Sequence, residues 1–539
     1  MPIRMTDDPN DQQEQGGDDN SGGGGGGFSG GGGGGLLGLL PLIFTLFRGK
    51  GILFILVLAV AGYFVLGRGG CNMGSGVVNN IAGLATGGIL DPNQFEKASI
   101  YEPLSDDNTK NPIPESANLQ KYAPGVGNQG HQGSCVAWSS AYAARSILES
   151  ARTGQPGEMV KFSPSFLYNQ IGMEGCQGSF IQKAMEFMTK QGAVPYNAFP
   201  YTDQDCSNQP NSQLMQQAQQ FKMRGYNRLS PGDRNDAVDL NAIKQNLAQG
   251  APVVIGMMVG GSYMQPMLGK DYWEPSEEDK SMQGFGGHAQ CVVGYDDRKY
   301  GGAFLIMNSW GPEWGNNGFA WVRYPVFKYF VREAYGLEPM QKVGAAANQP
   351  FECEIGLVPV SFSDKGKVQT NGYIPLHPSG DNKFETSSPI KIGSKFKMEI
   401  RNSTECYVYV FGKETDGTSY TLFPYPRKDD PTKTKYAPFC GITGYRLFPG
   451  QNSMTPDSIG TKDMMAVVVS KQPLDWYKLN QQIGMNPQSD YAARVNNALG
   501  NQLIKNVKYQ SSGKGTMQFN VAGSENNVVA CIVEIDKSR

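Results

Sequence analysis

Cys135 lies in the run Asn128-Gln129-Gly130-His131-Gln132-Gly133-Ser134-Cys135-Val136-Ala137-Trp138. Far downstream come Gly286-Gly287-His288-Ala289 and then Asn308-Ser309-Trp310-Gly311. In that order they offer a thiol nucleophile, an imidazole base and a carboxamide that can orient the base, the three roles of covalent acyl transfer. The chain has three histidines. His131 sits four residues before the thiol in the same Gly-rich loop and His377 lies in a separate downstream region, so His288 is the base to expect. A cysteine at a helix N-terminus meets the positive end of the macrodipole and unpaired amide donors, and both favour thiolate. Gly130 and Gly133 let the loop approach a substrate backbone closely. Gln129, six residues before the thiol, can aim its side-chain amide at the oxygen that gains charge during attack, alongside the Cys135 N–H. Loss of one such donor typically costs about 10²–10³ in turnover. Taken singly, a cysteine is most often a small buried hydrophobe and an Asn before Ser-Trp is a turn former. The ordered set, with its flanking glycines and tryptophans, is not explained that way.

Those three groups must be carried by elements that converge. The region behind the thiol reads as helix over 135–152, 165–170 and 179–191, with Gly192 as a C-cap. Further on, 252–258, 288–295, 304–308 and 318–324 read as strands. His288 then opens one strand and Asn308 ends the next, so two neighbouring antiparallel strands bring imidazole and amide together. Trp310 is placed to shield that hydrogen bond, and a low local dielectric strengthens it.

Composition narrows the class. A formal net charge of −2 over 539 residues, with no basic stretch interleaved with aromatics, gives no reason to expect nucleic acid. The nine cysteines form no CxxC pair or Cys/His cluster at zinc-ligand spacing, and no HExxH helix occurs, so a metal hydrolase is not expected. With Cys135 set aside, eight cysteines remain, a number that permits disulfides in an oxidising compartment without requiring them.

Residues 1–35 are acidic and then Gly-rich, with almost no large apolar side chains, and are expected to be disordered. In the apolar stretch 36–68, the run 51–67 has seventeen uncharged residues. As a helix it spans about 26 Å against a hydrocarbon core of about 30 Å, which suits a single membrane pass; a cleaved export signal is the alternative. Arg48 and Lys50 before it, against Arg68 after it, favour the tail inside and the rest of the chain on the extracytoplasmic side. Residues 69–118 read as a linker with one short helix, 119–340 as a globular unit, and 350–539 as a β-rich domain with alternating segments such as 395–400, 406–411 and 528–535.

With these residues in place, the unit from Gln120 to Leu337 resembles the papain-like cysteine peptidases. Gln129-Gly130 and Gly133-Ser134-Cys135 match the nucleophile loop, Gly287-His288-Ala289 the base, and Asn308-Ser309-Trp310-Gly311 the orienter, followed by Trp314-Gly315 and Gly318-Phe319. Gly175-Cys176-Gln177-Gly178 resembles the loop that lines the family's substrate pockets, and Phe199-Pro200-Tyr201 its aromatic-Pro-Tyr signature. The resemblance implies an α+β fold of two lobes, one helical and one a β-barrel, with the site in the cleft. It implies Cys135, His288 and Asn308 as catalytic residues, Gln129 in the oxyanion hole, Trp310 in support, and Gln177, Gly178, Ser179 and Gly287 as substrate-binding residues. Peptide-bond hydrolysis through an acyl-thioester, without metal or cofactor, goes with it.

Three departures stand out. Gln132 replaces a disulfide cysteine of the family, so Cys176 needs another partner, and Cys206 is the nearest in sequence. Val136 replaces the usual tryptophan after the nucleophile, and Ser179 replaces a common glycine in the pocket loop. No long helical inhibitory segment is recognisable before Gln120. Ile392-Gly393, Tyr407-Val408-Tyr409-Val410 and Leu422-Phe423-Pro424-Tyr425 are similar to a bacterial β-rich domain of unknown function, which implies a structural or docking role for the C-terminal part and a bacterial source. The expected function is a membrane-anchored thiol endopeptidase acting on peptides or proteins. A thiol amidase or transpeptidase on cell-wall peptides is the rival within catalysis, and a non-catalytic scaffold that recruits a protein partner is the rival outside it.

Overall fold

The computed structural model describes residues 2–8, 86–105, 109–230, 238–344, 350–364, 368–450, 452–522 and 526–539. The helical lobe begins at the thiol. Cys135–Ala137, Trp138–Arg145 and Ser146–Thr153 follow one another without a break, the middle piece in the wider π register. Gly154, at φ +73°, ends the run. The small side chains of Ser139, Ser140, Ala141, Ala143 and Ala144 are buried and let this helix lie close on the strand that carries His288. Pro164–Ile171 starts from a Ser163 side-chain cap with Pro at the first position, and Ile181–Lys190 packs against it. The helix expected over 179–191 starts two residues late, because Ser179 is extended and bridges to Gly88.

The β lobe is one sheet in the order Tyr226–Arg228, Val331–Leu337, Val253–Val259, Gly286–Asp296, Ala303–Met307, Phe319–Arg323, Tyr272–Trp273. Met257 stands opposite His288, and Cys291 opposite Met307. Asn308, expected to end its strand, is the first residue past it, because the strand closes one position earlier at Met307. A single apolar core runs through both lobes and includes Cys135, Val136, Ile147, Met185, Val254, Cys291, Trp310 and Tyr335.

Residues 351–539 form two facing sheets. One runs Asn452–Pro456, Phe396–Asn402, Phe351–Phe362, Met517–Val521, Tyr509–Ser511, and the other Leu376–Gly380, Lys383–Thr386, Val528–Ser538, Lys462–Ser470, Cys406–Lys413, Ser419–Phe423. Their inner faces share a core of Ile355, Met398, Val408, Val467, Cys531 and neighbours. Two helices, Trp476–Met485 and Tyr491–Leu499, cover the outer face of the second sheet.

Two expectations require correction. Ile3–Asp7, placed in a disordered tail, is a strand antiparallel to Asn452–Pro456 at the edge of the first sheet. That edge has unpaired backbone groups, which any matching segment can satisfy. Ile3 is fully buried there, and Asp8 is anchored by Lys397 at 2.7 Å and Ser453 at 2.6 Å. This strand belongs to the same body as the peptidase unit. The apolar stretch 36–68 itself lies outside the described residues, among which no helix is long and apolar enough to cross a membrane. The second correction concerns the linker. Its described part carries one short helix, Pro92–Phe95, as expected, but it is packed between the two globular units, with Phe95, Ile100, Tyr101 and Leu104 buried.

Candidate active site

Cys135 occupies the first helical position after Ser134 and is fully buried. Its sulfur accepts the N–H of Ala289 at 3.4 Å, one residue beyond His288. His288 Nε2 and Asn308 Oδ1 are 2.8 Å apart. Asn308 Oδ1 also accepts the Ser309 N–H at 2.8 Å, which fixes the amide's orientation and makes Nε2 the protonated ring nitrogen. Nδ1 is thereby left as the proton acceptor, and it is buried without a partner. Trp310 stacks on the imidazole at 4.3 Å and 19°, shielding the ring itself as well as its bond to Asn308.

Gln129 is fully buried and held from both ends of its amide. Nε2 donates to the Gln132 carbonyl at 2.9 Å, and Oε1 accepts from Ser309 Oγ at 2.7 Å. One of the two Nε2 hydrogens is fixed this way, so the other has a set direction. Tyr201 ties the same loop, donating to the Gln129 carbonyl at 2.8 Å and sharing a hydrogen bond with Ser134 Oγ at 2.6 Å. Ser309 and Tyr201 are positioning residues that spacing alone did not single out for these contacts. His131 is exposed, with its N–H on Asp203, and His377 is exposed beside Glu385, so neither stands at the site. Gly130 (φ +61°) packs on Asp203 rather than on a substrate path, whereas Gly133 borders the cleft. Cys176 and Cys206 are joined in a disulfide.

The predicted substrate-binding residues hold part of the chain itself. The Gly287 carbonyl accepts the N–H groups of Gly87 (3.3 Å) and Gly88 (3.0 Å). Ser179 donates its N–H to the Gly87 carbonyl and accepts the Ile89 N–H on its own, both at 3.0 Å. The fit is backbone against backbone: a Cβ on Gly178 would stand 2.4 Å from the Gly87 oxygen, and one on Gly287 2.1 Å from the Gly88 oxygen. Leu90 fills a pocket beside Gly256, Ile181 and Glu333, and Glu333 accepts the Asp91 N–H at 2.9 Å. Gln177 is exposed at the rim. Residues 86–90 thus form a strap across the cleft, which a Gly-rich linker sequence does not announce.

This cover sets the electrostatics. Burial pushes the Cys135 thiol up to about 12, against the pull of the N–H groups of Ala289, Val136, Gly87 and its own. Burial pushes His288 down to about 4, with the Asn308 bond opposing. Under the strap, thiol and imidazole are both neutral at ordinary pH. The strap's Gly87 N–H is held by the Gly287 carbonyl at 3.3 Å, one residue before His288. The arrangement can perform acyl transfer once a carbonyl replaces the strap.

Comparison with known proteins agrees with this geometry. The sequence profile of the papain family cysteine proteases matches residues 113–333. Mouse cathepsin K is 29% identical over 249 residues, covering 45% of this chain and 68% of its own. Human cathepsin L2 is 28% identical over 248 residues, covering 43% and 66%. The chain therefore spans about two thirds of the length of these curated relatives. Among solved structures, xylellain, a cysteine protease from Xylella fastidiosa, aligns with a TM-score of 0.39 and 25% identity over 49% of this chain and 97% of its own. Residues 113–333 are a papain-family cysteine protease domain, a papain-like cysteine endopeptidase unit within the longer chain.

Proposed function

We propose that this unit hydrolyses internal peptide bonds of protein substrates through a Cys135–His288–Asn308 triad. His288 Nδ1 takes the thiol proton, the sulfur attacks the carbonyl, and the oxyanion is met by the Cys135 N–H and the second Nε2 hydrogen of Gln129. The imidazolium then protonates the leaving amine, an acyl-thioester remains, and water releases the acid with His288 as base. The observation that carries this reading is the Nε2–Asn308 bond, which leaves a partnerless Nδ1 on the residue next to the one that touches the sulfur. The pocket that Leu90 fills supports a preference for an apolar side chain of leucine size.

A mass-spectrometric digest of a random peptide library is the test. New carboxyl ends at internal bonds, with a leucine-sized residue enriched near the cut, are expected. Products confined to side-chain or cross-linking amides would give the amidase or transpeptidase reading instead.

We also propose that the apolar segments near 36–47 and 51–67 attach the protein to a membrane. The placement of Ile3–Asp7 favours an even number of crossings or an in-plane attachment over the single pass. The Cys176–Cys206 bond supports an extracytoplasmic peptidase. Carbonate extraction of expressing cells is expected to leave the full chain in the membrane pellet; release into the supernatant would refute attachment.

A further inference from the structure

The strap does not end at Leu90. It continues through the helix Pro92–Phe95, whose Phe95 is buried against Tyr335 at 5.1 Å in the peptidase core. It then becomes an extended segment that both globular units grip at one residue. On the peptidase side, the Arg228 N–H donates to the Ser99 carbonyl at 2.8 Å and the Tyr101 N–H to the Arg228 carbonyl at 3.0 Å. On the other side, the Ile100 N–H donates to the Lys435 carbonyl at 2.8 Å and the Ala437 N–H to the Ile100 carbonyl at 3.0 Å. Ile100 is therefore the middle of a three-strand parallel bridge between Arg228 and Tyr436. The side chains alternate as an extended segment demands. Ile100 is 2% exposed in the core of the C-terminal sandwich, and Tyr101 is 4% exposed in the peptidase core. A second grip lies closer to the cleft: Arg427 of the C-terminal domain, oriented by Asp429, donates to the Glu96 carbonyl at 2.8 Å.

We propose that the C-terminal β domain is the latch of the strap. It holds Glu96 and Ile100, and through them keeps residues 86–90 over Cys135. The cleft opens when the domain's 435–437 edge and Arg427 let go. The strap itself is weakly held, by four backbone hydrogen bonds, the Leu90 side chain and the Glu333 contact. Nine residues separate Leu90 from Ile100, so an end fixed at Ile100 keeps the glycines near their partners at high effective concentration. This role for the domain rests on the reading of Cys135 as the nucleophile only where activity is the readout.

The experiment therefore carries two readouts. In a Cys135→Ala full chain, hydrogen exchange at the Gly88 and Ile89 amides reports strap opening without any catalysis. In the chain with Cys135 intact, the rate of labelling by an irreversible thiol-directed epoxide reports access to the sulfur. Ile100→Asp puts a charge into the sandwich core, and Arg427→Ala removes a grip made by a half-buried surface side chain. Each is expected to raise both rates roughly tenfold or more, a factor that corresponds to about 1.4 kcal/mol. Should Ile100→Asp fail to fold, Arg427→Ala decides alone. Unchanged exchange at 88–89 in folded variants, or strap amides already exchanging freely in the parent chain, overturns the latch. Faster exchange without any labelling keeps the latch and overturns Cys135 as the nucleophile.

Discussion

Replacing Cys135 by alanine is expected to abolish epoxide labelling and to lower peptide turnover by about 10⁴-fold or more, since no other cysteine among the described residues is placed to attack a substrate. Cys176 and Cys206 are bonded to each other. Cys291, Cys353, Cys406, Cys440 and Cys531 are buried in the two cores and line no cleft among the described residues. Cys291 is the instructive control, because it lies on the same strand as His288, three residues on, and burial pushes its thiol well above the ordinary range with no donor opposing. Proximity in sequence to the imidazole is therefore not enough. Cys135 has the Ala289 N–H on its sulfur at 3.4 Å and the helix start behind it. His288→Ala is expected to cost about 10²–10⁴-fold, the usual worth of a positioned acid–base group, and Asn308→Ala less, since it fixes a tautomer and makes no bond. Peptide-library turnover and intact-mass labelling check these changes. Labelling that survives Cys135→Ala would move the nucleophile elsewhere.

What the sequence could show was local or strongly ordered. The helix behind the thiol, expected over 135–152, runs to Thr153, and the four strands expected in the β lobe each lie within two residues of their observed bounds. Val331–Leu337 escaped notice because Arg332 and Glu333 break its apolar run; Glu333 is buried all the same, accepting from Asp91 and Tyr335. Ile3–Asp7 escaped for another reason: its pairing partner lies some 450 residues away, and five residues of mixed polarity carry no periodicity of their own. The strap is the clearest case. Thr86-Gly87-Gly88 has the composition of a spacer, and only a cleft built from Gly133, Ser179 and Gly287 turns the missing side chains into a fit. The same glycines that allow close approach of a substrate backbone allow close approach of the chain itself. No long inhibitory helix is recognisable in the sequence, and among the described residues a short strap covers the thiol.

Acid is expected to lift the strap, by about two orders of magnitude in opening equilibrium between pH 7 and pH 4. Covered, His288 is pushed down to about 4 by burial; uncovered and hydrated, an imidazole returns toward about 6.5. Between those values the open form binds the extra proton. Covering is therefore fully favoured above about pH 6.5 and loses about 1.4 kcal/mol, tenfold, for each unit of fall toward 4. The thiol acts at the other end. Covered, it is pushed up to about 12; uncovered it returns toward about 8.5, so the open form sheds its proton first and covering weakens again as pH rises above about 8.5. The strap is most secure between these limits, where thiol and imidazole are both neutral beneath it. Hydrogen exchange at Gly88 and Ile89 in the Cys135→Ala chain, corrected for the intrinsic pH dependence of exchange, isolates the acid limb. A core amide such as Ile255 serves as the reference, because the same histidine also links global unfolding to pH. Strap amides should lose protection on acidification while Ile255 keeps it, and His288→Asn should flatten the response. Equal protection at pH 4.5 and 7, or parallel loss at Ile255, would mean that the imidazole does not govern the cover.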